Sequence, residues 1–524
     1  MSVLRKKTIA SVMALSMMAS VIAGCSDDKS DKDRRDDDEE TEVTEEVVET
    51  DVAEPTVVIE TEPEETDLPP VITGGFEGIL QLKIDESYRP IYENDMYIGS
   101  INVDNVVLYP DYAMQCPELA GSLFISNGDY KDAFEARAIA MTENRDDVYV
   151  RSDVYVKRSS EGILSFIRVE TEWADDEIDN IVCENYDIAT GELLTNEDVF
   201  TDMNALANAL NSVNAGVTSV DDMSSWVIEP EGVTVYVDYV PYFIAFEGNE
   251  ELFVDGIGPV EGDYAMVMYD NQAFADIDHD GELESVSCTG IEGDYYELAG
   301  ITIGVDQNSF DFEDVFCFSA TGYIVRRDGN YYMYVVGSAE NDYCTTYYYK
   351  LEANAVISVG NIGGRIDGCY AQGEPIFDTT DYLDEDEVND WNDYFTGIMT
   401  DPSYFFISDR YHILSTVSAS MAYEVSASGA PELIDSESSA VLTRPVVFTA
   451  ISDIELTDMD GEPYPVQAGD KLVYIAVMPD EWAKFELEDG TIVIGYLAIP
   501  EDDWRYTLNG YAVDDVLAGT FFAG

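Results

Sequence analysis

The chain is 524 residues long, with 108 acidic against 25 basic side chains and a formal net charge of −83. A surface of that sign lacks the basic footprint that DNA and RNA require, so nucleic acid is excluded as a partner. It suits plain solubility, and it equally attracts divalent cations, basic peptides and basic proteins.

The N-terminus carries a basic start, Arg5-Lys6-Lys7, then an apolar stretch from Thr8 to Ser20, then Val21-Ile-Ala-Gly-Cys25. A basic head, a short apolar core and small residues before a cut site make a secretory signal over 1–24. The cysteine directly after the small pair resembles the bacterial lipoprotein signal, or lipobox. That resemblance implies a diacylglyceryl group on Cys25 and cleavage between Gly24 and Cys25. The plainer alternative is an ordinary signal peptide that happens to contain a cysteine. Each buried methylene contributes roughly 0.8 kcal/mol, and one acyl chain anchors only marginally, so two chains on Cys25 give a firm anchor. No later apolar run reaches the ~18 residues of a membrane-spanning helix. The expected location is the outer face of the cytoplasmic membrane of a Gram-positive cell.

Residues 25–74 read as the lipidated cysteine and a disordered acidic stalk. The run from Ser26 to Pro70 is dominated by Asp, Glu and Thr, has no aromatics, and holds only Lys29, Lys32, Arg34 and Arg35 as cations. It cannot bury enough apolar surface to offset the entropy of ordering, and its charges extend it. An acidic partner-binding tail is the other reading of the same composition.

The region 75–262 has an α+β order. Apolar spacing predicts helix from Pro117 to Ile125 and from Asp132 to Met141, with a break near Asn127-Gly128. Alternating strands are expected over Asp147–Lys157 and Ile163–Trp173, followed by a strand and turn over Asn185–Thr195. A helix around Asn204–Leu210 leads to a strand over Gly232–Tyr239. Within this region Tyr186-Asp-Ile-Ala-Thr-Gly-Glu-Leu-Leu194, Asp198-Val-Phe200, Ile228-Glu-Pro-Glu-Gly-Val-Thr-Val-Tyr236 and Arg151-Ser-Asp153 resemble motifs of the C-terminal domain of the anti-sigma-V factor RsiV. That resemblance implies binding of lysozyme, a basic protein. The family's Gly-Gly-Ala-His turn is replaced here by acidic Ala174–Asn180.

The region 263–440 reads as β-rich. It holds Asp276-Ile-Asp278-His-Asp280-Gly281-Glu282-Leu-Glu284. Ca²⁺ takes about six to eight oxygens, and alternating carboxylates in a tight loop converge on one ion. Asp276, Asp278, Asp280, Glu282 through its carbonyl, and Glu284 are the expected ligands of a structural calcium ion. Ser287 stands where an EF-hand has its closing Glu, and a strand from Ser285 leaves the loop. The pattern resembles the calcium loops of integrin-type repeats. The alternative is a solvated Asp-Gly turn. Downstream, Tyr323–Arg327, the turn Asp328-Gly-Asn330, Tyr331–Val336 and Cys344–Leu351 predict hairpins in a propeller-like or open β-meander domain. Their tyrosines suit either a sugar-stacking platform or cross-strand packing.

Residues 441–524 read as short strands over Arg444–Ala450, Lys471–Val477, Trp482–Leu487 and Thr491–Tyr496. Their size and spacing are similar to a bacterial SH3-like barrel, which implies wall binding or simple spacing. The fold class is therefore α+β and β-rich multidomain: an α+β N-terminal domain, a β-meander domain and a C-terminal SH3-like barrel.

Besides Cys25 the chain has Cys116, Cys183, Cys288, Cys317, Cys344 and Cys369. An even number outside the cytosol permits disulfides, and Cys317 and Cys344, on neighbouring predicted strands, are the preferred pair. All six also suit buried thiols in an anaerobic cell. No CxxC supports zinc or redox chemistry. The two histidines, His279 and His412, come with no nucleophile elbow, P-loop or dinucleotide fingerprint. The expected protein is non-catalytic: a binding or adaptor module whose partners are the membrane, through its anchor, and cell-wall glycan or a basic protein. A sensor or decoy for basic proteins such as lysozyme is one alternative. A glycan hydrolase, which needs only two carboxylates, is another.

Overall fold

The computed structural model describes residues 76–520 except 77, 94–95, 143–144, 146, 173–176, 214, 220–222, 224, 294–296, 314, 316, 340–342, 367–392, 436–438, 479–480 and 500–504. Cys25, the acidic stretch after it and Cys369 lie outside the described residues. Strands far outnumber helices, in several sheets with no closed barrel among the described residues.

The first sheet begins with β1 (Leu82–Glu93) and β2 (Met96–Leu108), paired antiparallel from Leu82↔Leu108 to Glu93↔Met96. Two helices follow, α1 (Pro110–Gln115) and α2 (Pro117–Met141), before β3 (Val148–Ser160). β3 lies parallel to β2, with Gly99 opposite Val148, because a long crossover is what a parallel pair requires. β4 (Ile163–Glu172) and β5 (Glu177–Asp187) complete an antiparallel run.

The helix is continuous through Asn127-Gly128, where the sequence predicts a break. Asn127 is buried, its amide donates to Val106 O at 2.8 Å, and its carbonyl accepts from Arg168 at 2.7 Å. These bonds to the sheet outweigh the weak local propensity. Leu119, Leu123, Phe134 and Ala138 press α2 onto the sheet. On the other face lie the short α3 (Asn196–Val199) and α4 (Met203–Ser212), then the hairpins of β6 (Ser225–Glu229), β7 (Gly232–Val237) and β8 (Val240–Ala245). The Asn185 side chain joins β5 to β6, donating to Trp226 O at 2.9 Å and accepting from Ile228 N at 3.0 Å. Covered on both faces, β4 is buried at every residue.

Next come β9 (Tyr264–Val267), β10 (Gln272–Ala275), β11 (Glu284–Glu292), β12 (Leu298–Val305) and β13 (Asn308–Phe312). They are followed by β14 (Ser319–Arg327), β15 (Asn330–Ser338), β16 (Cys344–Glu352) and β17 (Ala355–Gly363). They form two open meanders, β10-β11-β12-β13 and β17-β16-β15-β14-β9. The two pack face to face through Val286, Ile301, Ile303, Ile324, Met333 and Val335. At the β14–β15 turn Asp328 and Gly329 both have positive φ, as a tight two-residue hairpin turn requires.

β18 (Asp393–Gly397) returns to the first sheet and pairs with β1, Lys83 opposite Gly397. β19 (Phe405–Ile413) and β20 (Ser415–Val425) cover the outer face of the second meander: Phe405, Ile407 and Val425 lie against Val325, Tyr332 and Tyr334. The central strand β15 is therefore buried on both sides. Tyr332 and Tyr334 are core, their hydroxyls donating to Ala427 O at 3.3 Å and Gly429 O at 2.8 Å. These two tyrosines pack; they offer no stacking platform.

Apart from β21 (Pro431–Leu433), which pairs with β20, and three two-residue strands at 507–508, 511–512 and 517–518, the remaining strands are β22 (Ala440–Ala450), β23 (Ile454–Asp458), β24 (Pro463–Val466), β25 (Lys471–Met478), β26 (Trp482–Leu487) and β27 (Ile492–Ala498). They form an open path, β19-β20-β22-β25-β26-β27-β23-β24, around a core that includes Phe448, Tyr474 and Phe485. The pairs Ala419↔Leu442 and Ser420↔Val441 run straight across the boundary expected at 440/441. Hydrogen-bonded pairing thus groups β19 and β20 with the C-terminal strands. No helix among the described residues is long and apolar enough to cross a membrane.

Candidate metal centre

The acidic loop connects two adjacent antiparallel strands. Ala275 at the end of β10 is paired with Glu284 at the start of β11, and this rung closes the neck of the loop 276–283. His279 at φ 60° and Gly281 at φ 89° make the sharp reversals. The positive φ favours glycine at 281, while the nearest atom to a Cβ there, Glu247 Oε1 at 2.7 Å, is the movable end of a side chain.

Three of the five expected ligands converge. Single carboxylate oxygens of Asp276, Asp278 and Glu284 lie within 4.8 Å of one another, with Glu284 buried, Asp276 half-buried and Asp278 exposed. Glu284 accepts a hydrogen bond from Ile277 N at 2.8 Å, which fixes its orientation toward the loop. Burial pushes its carboxyl above the usual range, and the charges of Asp278 and Asp306 push it further. A group in that position gains from a cation.

The Asp280 carboxylate and the Glu282 side chain lie outside this cluster. The Asp280 carboxylate accepts from Glu282 N at 2.8 Å, while Asp280 N donates to Asp276 at 3.1 Å. These are turn-closing bonds. The exposed Glu282 side chain helps line an open groove of about 400 Å³ with Phe243, Phe274 and Glu247, where the two phenyl rings stack at 4.2 Å. Asp306, absent from the expected set, accepts from Ser285 N at 2.9 Å and ties the loop's exit to the β12–β13 turn. No spacing in the sequence signals it, since it lies 21 positions downstream of Ser285.

Among the described cysteines, Cys116, Cys183, Cys288 and Cys317 stand as free thiols. Cys317 lies against the Gly337 side of β15, whereas Cys344 pairs with Ser338, whose side chain leaves the opposite face. Burial pushes the Cys288 thiol up to about 12 and the Cys317 thiol up to about 11. The histidines are engaged structurally. His279 Nε2 contacts Gly329 O at 2.7 Å, and His412 contacts Thr416 Oγ1 at 2.9 Å and Tyr343 Oη at 3.3 Å.

No family model and no curated protein matches the chain. Among solved structures it is similar to a DUF3298 family protein from Pseudomonas aeruginosa PAO1, at 13% identity and a TM-score of 0.27, over 35% of this chain and 98% of that one. A DUF3298 family member from Bacteroides fragilis is similar at 14% identity and a TM-score of 0.24, over 34% of this chain and 94% of that one.

Proposed function

We propose that the chain is a non-catalytic surface lipoprotein, anchored through Cys25 to the outer face of a Gram-positive membrane, whose body is a calcium-braced binding or adaptor module. The observation that carries the calcium assignment is the convergence of the Asp276, Asp278 and Glu284 oxygens within 4.8 Å. Calcium accepts such hard oxygen donors, and the Glu282 carbonyl and Asp280 are the next donors along the loop. The role is structural: the ion would offset repulsion among three carboxylates and fix the entrance to β11. The acidic stretch before residue 76 serves as a stalk, and the C-terminal strands serve as an SH3-like spacer or wall-binding element.

A ligand that binds only the folded state stabilises it by about 2.7 kcal/mol at a hundredfold excess over Kd. Addition of calcium after chelation is expected to raise the melting temperature of the full chain, and Asp278→Ala to abolish that rise. An undiminished rise in the variant overturns the assignment. The formal charge of −83 favours a second reading, a sensor or decoy for basic proteins such as lysozyme. Retention of lysozyme by the full chain at low salt, lost at high salt, is its expected signature; no retention at low salt dismisses it.

A further inference from the structure

The side of α2 turned away from the sheet carries an exposed apolar strip. Phe124 is 79% exposed and Ile125 64%, and Met114 of the adjoining α1 is 74% exposed. Gly121 and Gly128 share that side by helical spacing, and a Cβ built on either meets no atom within 4 Å. The inward stripe of the same helix is already used by Leu119, Leu123, Phe134 and Ala138. Phe124 and Ile125 therefore add nothing to the core, and two bulky apolar side chains side by side in water mark a contact surface. Exposed Glu118, Asp129 and Asp132 hem this strip. Of the helix's two cations, Lys131 stands at the C-terminal end of the strip between Asp129 and Asp132, and Arg137 is held by Glu170 at 2.6 Å, so acidic groups outnumber cations along it.

We infer that this face of α2 docks a cationic amphipathic helix of a partner polypeptide. Its apolar side would lie on Phe124 and Ile125, its backbone would approach over Gly121 and Gly128, and its lysines or arginines would meet the acidic hem. Charge decides among the occupants. A second copy brings the same acidic hem and the same net charge of −83, and an anionic lipid surface repels it likewise. The inference deepens the binding-module reading and is independent of the calcium loop.

The test is isothermal titration of the full chain with a synthetic amphipathic helical peptide made of leucine and lysine, in chelator and again in calcium, at physiological salt. A twin peptide with glutamate for lysine is the control. The lysine peptide should bind and its twin should not. The double variant Phe124→Ser/Ile125→Ser, which keeps every charge, should weaken binding by about tenfold, the equivalent of about 1.4 kcal/mol. A second variant, Gly121→Gln/Gly128→Gln, fills the open approach without removing a contact; it should also weaken binding while leaving the fold at least as stable. Equal affinity of the wild type and both variants would mean attraction by bulk charge alone and overturns the proposal. So does the absence of binding by the wild type, or a wild-type dimer that the serine variant dissociates. Because both arms run with and without calcium, loss of the calcium-dependent melting shift leaves this outcome readable by itself.

Discussion

Arg168 on β4 donates from Nε to Glu184 Oε1 on β5 at 2.6 Å, and the arginine has no exposed surface at all. Its other nitrogens donate to Asp104 O at 2.6 Å and Asn127 Oδ1 at 2.7 Å, and the Tyr130 ring lies 4.4 Å from its guanidinium carbon. Glu184 also accepts from Ser126 at 2.9 Å and Tyr186 at 2.6 Å. One ion pair thus fastens α2, β2, β4 and β5 together. Breaking a buried pair by removing one partner costs about 3–5 kcal/mol, because the other charge is left in a dry site. Arg168→Met is expected to lose that amount in urea unfolding; a loss below ~1 kcal/mol would show that the network carries little of the fold.

The loop carboxylates divide by role. Asp276, Asp278 and Glu284 point at a common centre, whereas the Asp280 carboxylate closes the turn onto Glu282 N. Glu284→Gln should remove the calcium response. Asp280→Ala should lower stability in chelator as well, by about 1 kcal/mol for the lost bond. Thermal melts of both variants with and without calcium separate the two behaviours.

Asp104 gives a pH dependence of definite sign. Loss of water around it raises its carboxyl well above the ordinary value, and Glu86 and Asp153 raise it further against the opposing charge of Arg151. A raised folded-state value means that its contribution is fully present below the unfolded value of about 3.9 and is lost as pH rises through the folded value. Asp104→Asn should therefore be more stable than the wild type at neutral pH and lose that advantage in acid. Melting temperatures across pH compare the two directly, and a constant difference refutes the account.

Gly429 tests the packed tyrosines. It sits at φ 84°, and a Cβ there would overlap the ring of Tyr332. Gly429→Ala combines backbone strain with overpacking and should cost about 1–3 kcal/mol. Near-ultraviolet circular dichroism should register the shift of Tyr332 and Tyr334.

Much of the strand content was legible because half-buried strands alternate. Trp482–Leu487 falls on the expected residues, and the hairpin at Asp328-Gly329 is where its turn chemistry places it. The acidic loop was legible for the same local reason. Legibility failed where distant chain decides. β4 and β15 are buried on both faces, so their pattern does not say what covers them. The unbroken α2 depends on Arg168, 41 positions from Asn127. The pairing of β20 with β22 hid the grouping of the last sheets, since spacing cannot reveal an edge shared between regions.

The pairing of β1 with β18 has a consequence for biogenesis. Thr396 reaches Glu86 across 310 positions of chain, at 2.9 Å. β1 is delivered some 310 positions of chain ahead of the strand that completes its edge. Through that interval β1 is an open edge with unpaired amides and carbonyls, which invites pairing with other chains. Like charge, −83 on each chain, opposes contact between copies while that edge is open.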